Sequence, residues 1–149
     1  MAKLQLAVVT AEGESFSGEV DMVVAPGEVG EFTVLPSHAR LISTLAAGEL
    51  RFDQGGESTS LALTGGFLEV ANNRVTVLAD AAERDDAIDL DRAETALARA
   101  QERVDSETGS ANLERAMASL RRARVRVNLG RRRRDRRYTQ VLPPWRVGS

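Results

Sequence analysis

The sequence predicts an α+β protein: an N-terminal antiparallel β-sandwich followed by a C-terminal antiparallel two-helix hairpin. Three observations carry that expectation. Apolar and polar residues alternate at period two from residue 3 to about 80, turn residues punctuate this stretch at sandwich spacing, and the period lengthens to about 3.6 after residue 84. A chain of 149 residues, 42% of them hydrophobic and none of them cysteine, suits one modest core and a smaller appendage. The missing cysteines exclude thiol catalysis and cysteine zinc sites.

The strands come first. Leu4, Leu6 and Val8 alternate with Gln5 and Ala7, and Val20, Met22 and Val24 repeat the pattern. Further strands are expected at 31–35 (EFTVL), 49–53 (ELRFD), 59–64 (TSLALT), 67–71 (FLEVA) and 74–79 (RVTVLA), each sending alternate side chains into one core. The stretches PGEVG, AAGE, DQGGE and TGG supply turn residues, and Asn72-Asn73 predicts a tight hairpin. His38 is the only histidine. In an extended segment Ser37 would point away from it, so a surface-contact or structural role is expected for His38 in preference to a Ser/His dyad. Gly27, Gly30, Gly65 and Gly66 do not follow phosphate-loop spacings and read as turn glycines.

The helices follow. Ala93, Leu97, Ala100 and Val104 form one stripe, and Asp85, Asp86, Asp89 and Asp91 crowd the start, where the helix dipole favours carboxylates. A first helix is expected over 87–105 and a polar loop over 105–112, with Ser110 or Asn112 as the next cap. Leu113, Ala116, Met117, Leu120 and Val127 make the stripe of a second helix over 111–129, with Arg124 inside the stripe and Gly130 as the stop. So short a connection places the helices antiparallel, and an alanine-rich seam buries little area, so the hairpin is expected to act as a detachable appendage. The resulting domains are 1–84, 85–129 and an arginine-rich extension over 130–149. The composition of that extension predicts disorder, with Tyr138 and Trp145 as anchors in the alternative case, and Pro143-Pro144 excludes a continuing helix.

Charge is segregated. Residues 1–120 carry 9 Lys+Arg against 21 Asp+Glu, net −12, and residues 121–149 carry 11 against 1, net +10. The positive pole suits nucleic acid, an anionic membrane surface or an acidic protein face. Arg92, Arg99 and Arg103 share one helical stripe, and Arg115, Arg122 and Arg126 share another. Such stripes are usually solvated faces; the sharper alternative is a polyanion site, and spacing does not show that the two sets converge. The N-terminus reads poorly as a signal peptide and no stretch approaches the roughly 20 apolar residues of a membrane span, which predicts a soluble protein on the cytoplasmic side.

The segment PGEVGEFTVLPSHARLISTLAAGELRF (26–52) resembles the epsilon subunit of bacterial F-type ATP synthases, with a Gly-x-x-Gly turn, Leu-Pro-x-His and a Gly-x-Leu-Arg strand. Arg40 stands where that family commonly has proline. FSGEVDMV (16–23), GGFLEVANNRVTVLAD (65–80) and IDLDRAETALARA (88–100) extend the likeness from about residue 4 to 128. The resemblance implies a non-catalytic rotor subunit that sits with the gamma subunit on the c-ring, through which alone it meets the membrane, peripherally and on the cytoplasmic side. It implies that Glu31 and His38 face the c-ring loops. It implies a helical hairpin that either folds down or extends into the catalytic head and inhibits ATP hydrolysis. There Arg121, Arg122, Arg124, Arg126, Arg131, Arg132, Arg133 and Arg134 would meet an acidic face of the beta, and with it the alpha, subunits. IDLDRA also resembles the nucleotide motif of some members. This implies ATP as a regulatory ligand, in place of any obligatory cofactor, held by Glu83, Ile88, Asp89, Arg92, Ala93, Arg99, Arg122 and Arg126.

Two readings from other classes compete. A nucleic-acid-binding module would use the arginine run with Tyr138 and Trp145, against a folded part of net −12. An independent enzyme finds no triad, metal-ligand cluster or phosphate loop in its support.

Overall fold

The computed structural model describes residues 2–141, with side chains through residue 135. The chain packs as two units, one ending at Arg84 and the other beginning at Asp85.

The first unit is built from ten strands: β1 (Leu4–Thr10), β2 (Gly13–Val20), β3 (Met22–Gly27), β4 (Gly30–Val34), β5 (Leu41–Leu45), β6 (Gly48–Gln54), β7 (Glu57–Leu63), β8 (Gly66–Ala71), β9 (Arg74–Ala79) and β10 (Ala82–Arg84). They pair in the order β10-β7-β6-β3-β5-β8-β9-β1-β2, with β4 added to β3. Every pairing is antiparallel except β1 with β9, which run parallel from Gln5↔Arg74 to Val9↔Leu78. The sheet closes over a single core in which Leu6 and Val8 of β1 meet Leu50 and Phe52 of β6 and Leu68 of β8. Closure is also visible at its edge, where Gln54 Nε2 of β6 donates to the Glu19 carbonyl of β2 at 2.9 Å.

The period-two strands form as their alternation predicts, and three strands were not legible from it. β2 reads GESFSGEV and places only Phe16 and Val20 against the core, Phe16 with its ring 4.3 Å from that of Phe52, too little apolar sequence to show as an alternation. β5 buries only Leu45, and β10 is three residues long. The run Val20–Val24 divides at Asp21, so the expected Val20, Met22, Val24 stripe does not form: Val23 and Ala25 of β3 enter the core with Val20, and Met22 is half-buried. Asn72 and Asn73 adopt φ of 52° and 59°, the two left-handed residues of a type I′ turn between β8 and β9. Around His38 the chain is not extended: Ser37 has φ 66° and the His38 amide donates to the Leu35 carbonyl at 3.2 Å. Gly66, at φ 144°, cannot be replaced cheaply, since a Cβ there would lie 2.1 Å from the Leu78 carbonyl oxygen.

In the second unit a 3-10 turn over Asp85–Ala87 leads into α1 (Leu90–Ser106), and Glu107, Thr108 and Gly109 connect it to α2 (Ser110–Val141). The first helix therefore starts three residues later than its stripe suggested. Leu113 N donates to the Gly109 carbonyl at 2.8 Å, which puts Ser110 and Asn112 inside α2 and not at its cap. The helices pack antiparallel, with Ala100 against Leu120 and Ala123 and with Leu97 and Val104 beside them. The seam on α2 steps through Ala116, Leu120, Ala123 and Val127, all buried. Met117 and Arg124 each lie one residue past a seam position, rotated by about 100°. Both are exposed, which corrects their placement in the stripe.

Gly130 does not end the second helix. α2 runs through it to Val141. The glycine instead permits a close approach, because a Cβ there would lie 3.1 Å from Leu90 Cδ1 and 3.2 Å from Ile88 Cγ2. Pro143, Pro144 and Trp145, and the side chain of Tyr138, lie outside the described residues.

Candidate functional site

The Ile-Asp-x-x-Arg-Ala motif occupies the entry to α1, and most of its residues carry structural work. Asp89 is the N-cap: its Oδ1 accepts from the Arg92 amide at 3.2 Å, and its carbonyl accepts from the Ala93 amide at 2.9 Å. Ala93 is fully buried, and Ile88 is half-buried facing Gly130. Arg92 and Arg99 project from α1 as exposed side chains. On α2, Arg122 is exposed with Nη2 donating to Ser119 Oγ at 3.1 Å, while Arg126 is half-buried. Glu83 belongs to β10 of the first unit. The structure thus brings Ile88, Asp89 and Ala93 together at one helix start, with Arg92 beside them.

A cleft of about 210 Å³ opens at the same end of the hairpin, lined by Asp85, Asp86, Ile88, Leu90, Gly130, Arg133 and Arg134. It is smaller than ordinary small-molecule pockets, which start at about 300 Å³, and its two carboxylates balance its two guanidinium groups, so it offers a phosphate no net positive charge.

The arginine run is not uniformly free. Arg121, Arg122 and Arg124 face outward. Arg131 Nε pairs with Glu94 Oε1 at 3.2 Å, and Arg133 Nη1 stands 3.9 Å from Oδ1 of Asp85, a carboxylate only 6% exposed. Arg134 Nε lies 3.9 Å from Asp135 Oδ1, and Arg132 is also engaged in an interaction. Sequence reasoning did not find Glu94 or Asp85 as partners. Their signal was the excess of carboxylates at the start of α1, legible as a dipole effect but equally as a counter-charge.

On the first unit, Glu31 is exposed on β4 and His38 is half-buried, its Nδ1 donating to the Ala39 carbonyl at 2.7 Å. Val29 at the β3–β4 turn is fully exposed, and Leu35 is half exposed. A broader apolar surface lies on one side of the sheet. The register pairs Thr44 with Phe67 and Phe67 with Leu78, so these share a face with Ile42, two residues before Thr44. Ile42, Phe67 and Leu78 are 75%, 55% and 54% exposed, more apolar surface than scattered side chains leave open.

Among the described residues no three His, Cys, Asp or Glu side chains gather as a metal set, and no helix is long and apolar enough to cross a membrane. An apolar sheet face and an arginine-bearing hairpin on separately packed units define a binding chain made for contact with other proteins. The family model of the ATP synthase delta/epsilon chain β-sandwich domain matches residues 3–85, and that of the delta/epsilon long α-helix domain matches residues 86–129. An ATP synthase epsilon chain from Desulforamulus reducens is 48% identical over 128 residues, spanning 85% of this chain and 97% of that one. One from Dehalococcoides mccartyi is 50% identical over 142 residues, spanning 95% of this chain and 100% of the other. Among solved structures, a chain of the Euglena gracilis mitochondrial ATP synthase (OSCP/F1/c-ring, rotational state 1) shares the fold. It superposes with a TM-score of 0.73 at 22% identity, covering 81% of this chain and 77% of that one. The chain therefore belongs to the ATP synthase delta/epsilon family, alongside the epsilon chains it matches over nearly their whole length.

Proposed function

We propose that this chain is the central-stalk rotor subunit that couples rotation of gamma and the c-ring to the catalytic head, and that its helical unit inhibits ATP hydrolysis when extended. The carrying observation is the match to epsilon chains over nearly their whole length. The exposed face of Ile42, Phe67 and Leu78 supports docking of the first unit on gamma, since a rotor contact that must hold under torque needs buried apolar area. Glu31, His38 and the exposed Val29 and Leu35 form the surface offered to the c-ring, which makes the protein peripheral to the membrane on its cytoplasmic side. The outward Arg121, Arg122 and Arg124 supply the grip on an acidic face of the beta and alpha subunits.

ATP enters this reading as a regulatory ligand that favours the folded hairpin, to the extent that it binds that state better than the extended one. Arg92, Arg99, Arg122 and Arg126 donate hydrogen bonds to its phosphate oxygens in that case. Asp89, as helix cap, and Ala93, as seam residue, would act mainly by keeping the hairpin folded. Ion transport and ATP synthesis belong to the complex.

The test is removal of residues 85–149 in the assembled complex. Assembly with gamma and the c-ring should persist while ATP hydrolysis rises; unchanged hydrolysis would sink the inhibitory role. Calorimetric titration of ATP into the isolated chain tests the sensor. Arg92→Ala is the sharper control, because Asp89→Ala also removes a cap. No heat above dilution in the unmodified chain would remove ATP from the mechanism.

A further inference from the structure

The part of α2 that carries the densest arginine run lies beyond residue 129, where the family helix model ends. Three contacts tie it back to the entry of the hairpin. Gly130 brings the α2 backbone close against Ile88 and Leu90, where an added Cβ would stand only 3.1–3.2 Å from their methyl groups. One residue on, Arg131 pairs with Glu94 in the first turns of α1 at 3.2 Å. Three residues past the glycine, α2 has overrun α1, and Arg133 reaches the buried Asp85 of the 3-10 turn at 3.9 Å. The other end of the hairpin is closed covalently by Glu107, Thr108 and Gly109. This end is closed by these contacts.

We propose that residues 130–133 form an electrostatic clasp on the open end of the hairpin, in which Glu94 and Asp85 occupy arginines that an acidic protein surface would otherwise take. Binding of Arg131 and Arg133 by such a surface and closure of the clasp exclude each other, so an acidic partner opens the hairpin by competition. The clasp itself is a property of the free chain; only its release by the catalytic head rests on the function proposed above. Its outer pair, Arg131 with Glu94, is weak, as a displaceable contact must be. The Arg131 and Glu94 side chains are 51% and 39% exposed, and ion pairs that exposed are easily screened. The close approach at Gly130 supplies the register that brings both pairs into range together.

Amide hydrogen exchange on the full chain tests it, read at residues 88–97. Arg131→Glu and Glu94→Arg should each speed exchange there by roughly two- to fivefold, and the double variant, which restores the pair with its signs reversed, should bring the rate back. Equal exchange in all four proteins, or single variants that exchange faster with no recovery in the double, would overturn the clasp. Added poly-L-glutamate should speed exchange at 88–97 in the unmodified chain. Unchanged exchange at a concentration that binds α2 would overturn the competition. Neither result touches the hydrolysis test above, so clasp and inhibitory role can fail separately.

Discussion

Asn73 shows how much one residue of the first unit holds. Its backbone supplies the second left-handed position of the β8–β9 turn, its Nδ2 donates to the Lys3 carbonyl at 2.8 Å, and its Oδ1 accepts from the Ser37 amide at 2.9 Å. Asn73→Gly keeps the turn and loses both bonds, so a cost of about 1–2 kcal/mol is expected; Asn73→Ala adds left-handed strain of about 1 kcal/mol. Chemical denaturation should rank alanine as the worse. The asparagine pair was legible as a turn, because both residues tolerate positive φ. The left-handed Ser37 was not, since its conformation is supported from a residue 36 positions away. Asp21 gives a pH-dependent case. Lys3 Nζ and then the Gly55 amide hydrogen-bond its carboxylate and hold it below the ordinary value of 3.8. A depressed folded pKa contributes stability that is present above the unfolded value and lost as pH falls through the folded one. Asp21→Asn should therefore lower stability at neutral pH and leave it nearly unchanged in acid below the folded pKa. An equal deficit at both would show that the charge is not the cause.

Elements follow their burial patterns, and that decides which ones a sequence displays. β6, β8 and β9 alternate because one face is buried, whereas β2 has glycine between its two inward apolar residues, Phe16 and Val20, and so shows no run of alternation. In the hairpin, the motif at the start of α1 was readable as a family signature, but its capping and packing work needed the three-dimensional neighbours. Asp89→Ala should cost about 1 kcal/mol of hairpin stability by removing the side-chain acceptor for the Arg92 amide, an effect that thermal unfolding reads directly. The α2 overrun was hidden by a glycine whose usual meaning is a helix stop, because sequence alone does not say whether a missing Cβ serves φ or proximity. Magnitudes separate the two. Gly130→Ala gains up to about 1 kcal/mol of helix propensity and meets only two methyl groups that can shift by a few tenths of an ångström, so it should be close to neutral. Gly130→Leu overfills the contact with Ile88 and Leu90, at about 1–3 kcal/mol. A stop glycine would instead suffer from both substitutions, and more stable variants in both cases would contradict the close packing.

At the scale of the whole molecule the charge pattern follows the two units. Residues 1–84 carry 5 Lys+Arg against 12 Asp+Glu, net −7, and residues 85–149 carry 15 against 10, net +5. An acidic unit with an apolar sheet face and a basic helical unit suit different kinds of contact, one held by buried area and insensitive to salt, the other electrostatic and screened. That division makes a prediction about assembly. Phe67 and Leu78 are directly paired across β8 and β9 with their side chains outside the core, so replacing both by aspartate should leave the first unit folded. The same change places two carboxylates in any apolar interface that covers this face, without opposite charges to meet them. Pull-down of gamma by the Phe67→Asp, Leu78→Asp chain should fail at low and high salt alike. Substitution of Arg121, Arg122 and Arg124 by alanine should instead leave the pull-down intact and weaken inhibition of hydrolysis, most visibly at low salt. Retained gamma binding by the double aspartate variant, with its far-ultraviolet circular dichroism unchanged, would show that the exposed apolar face is not the rotor contact and would move that role to the turns around Val29 and Leu35.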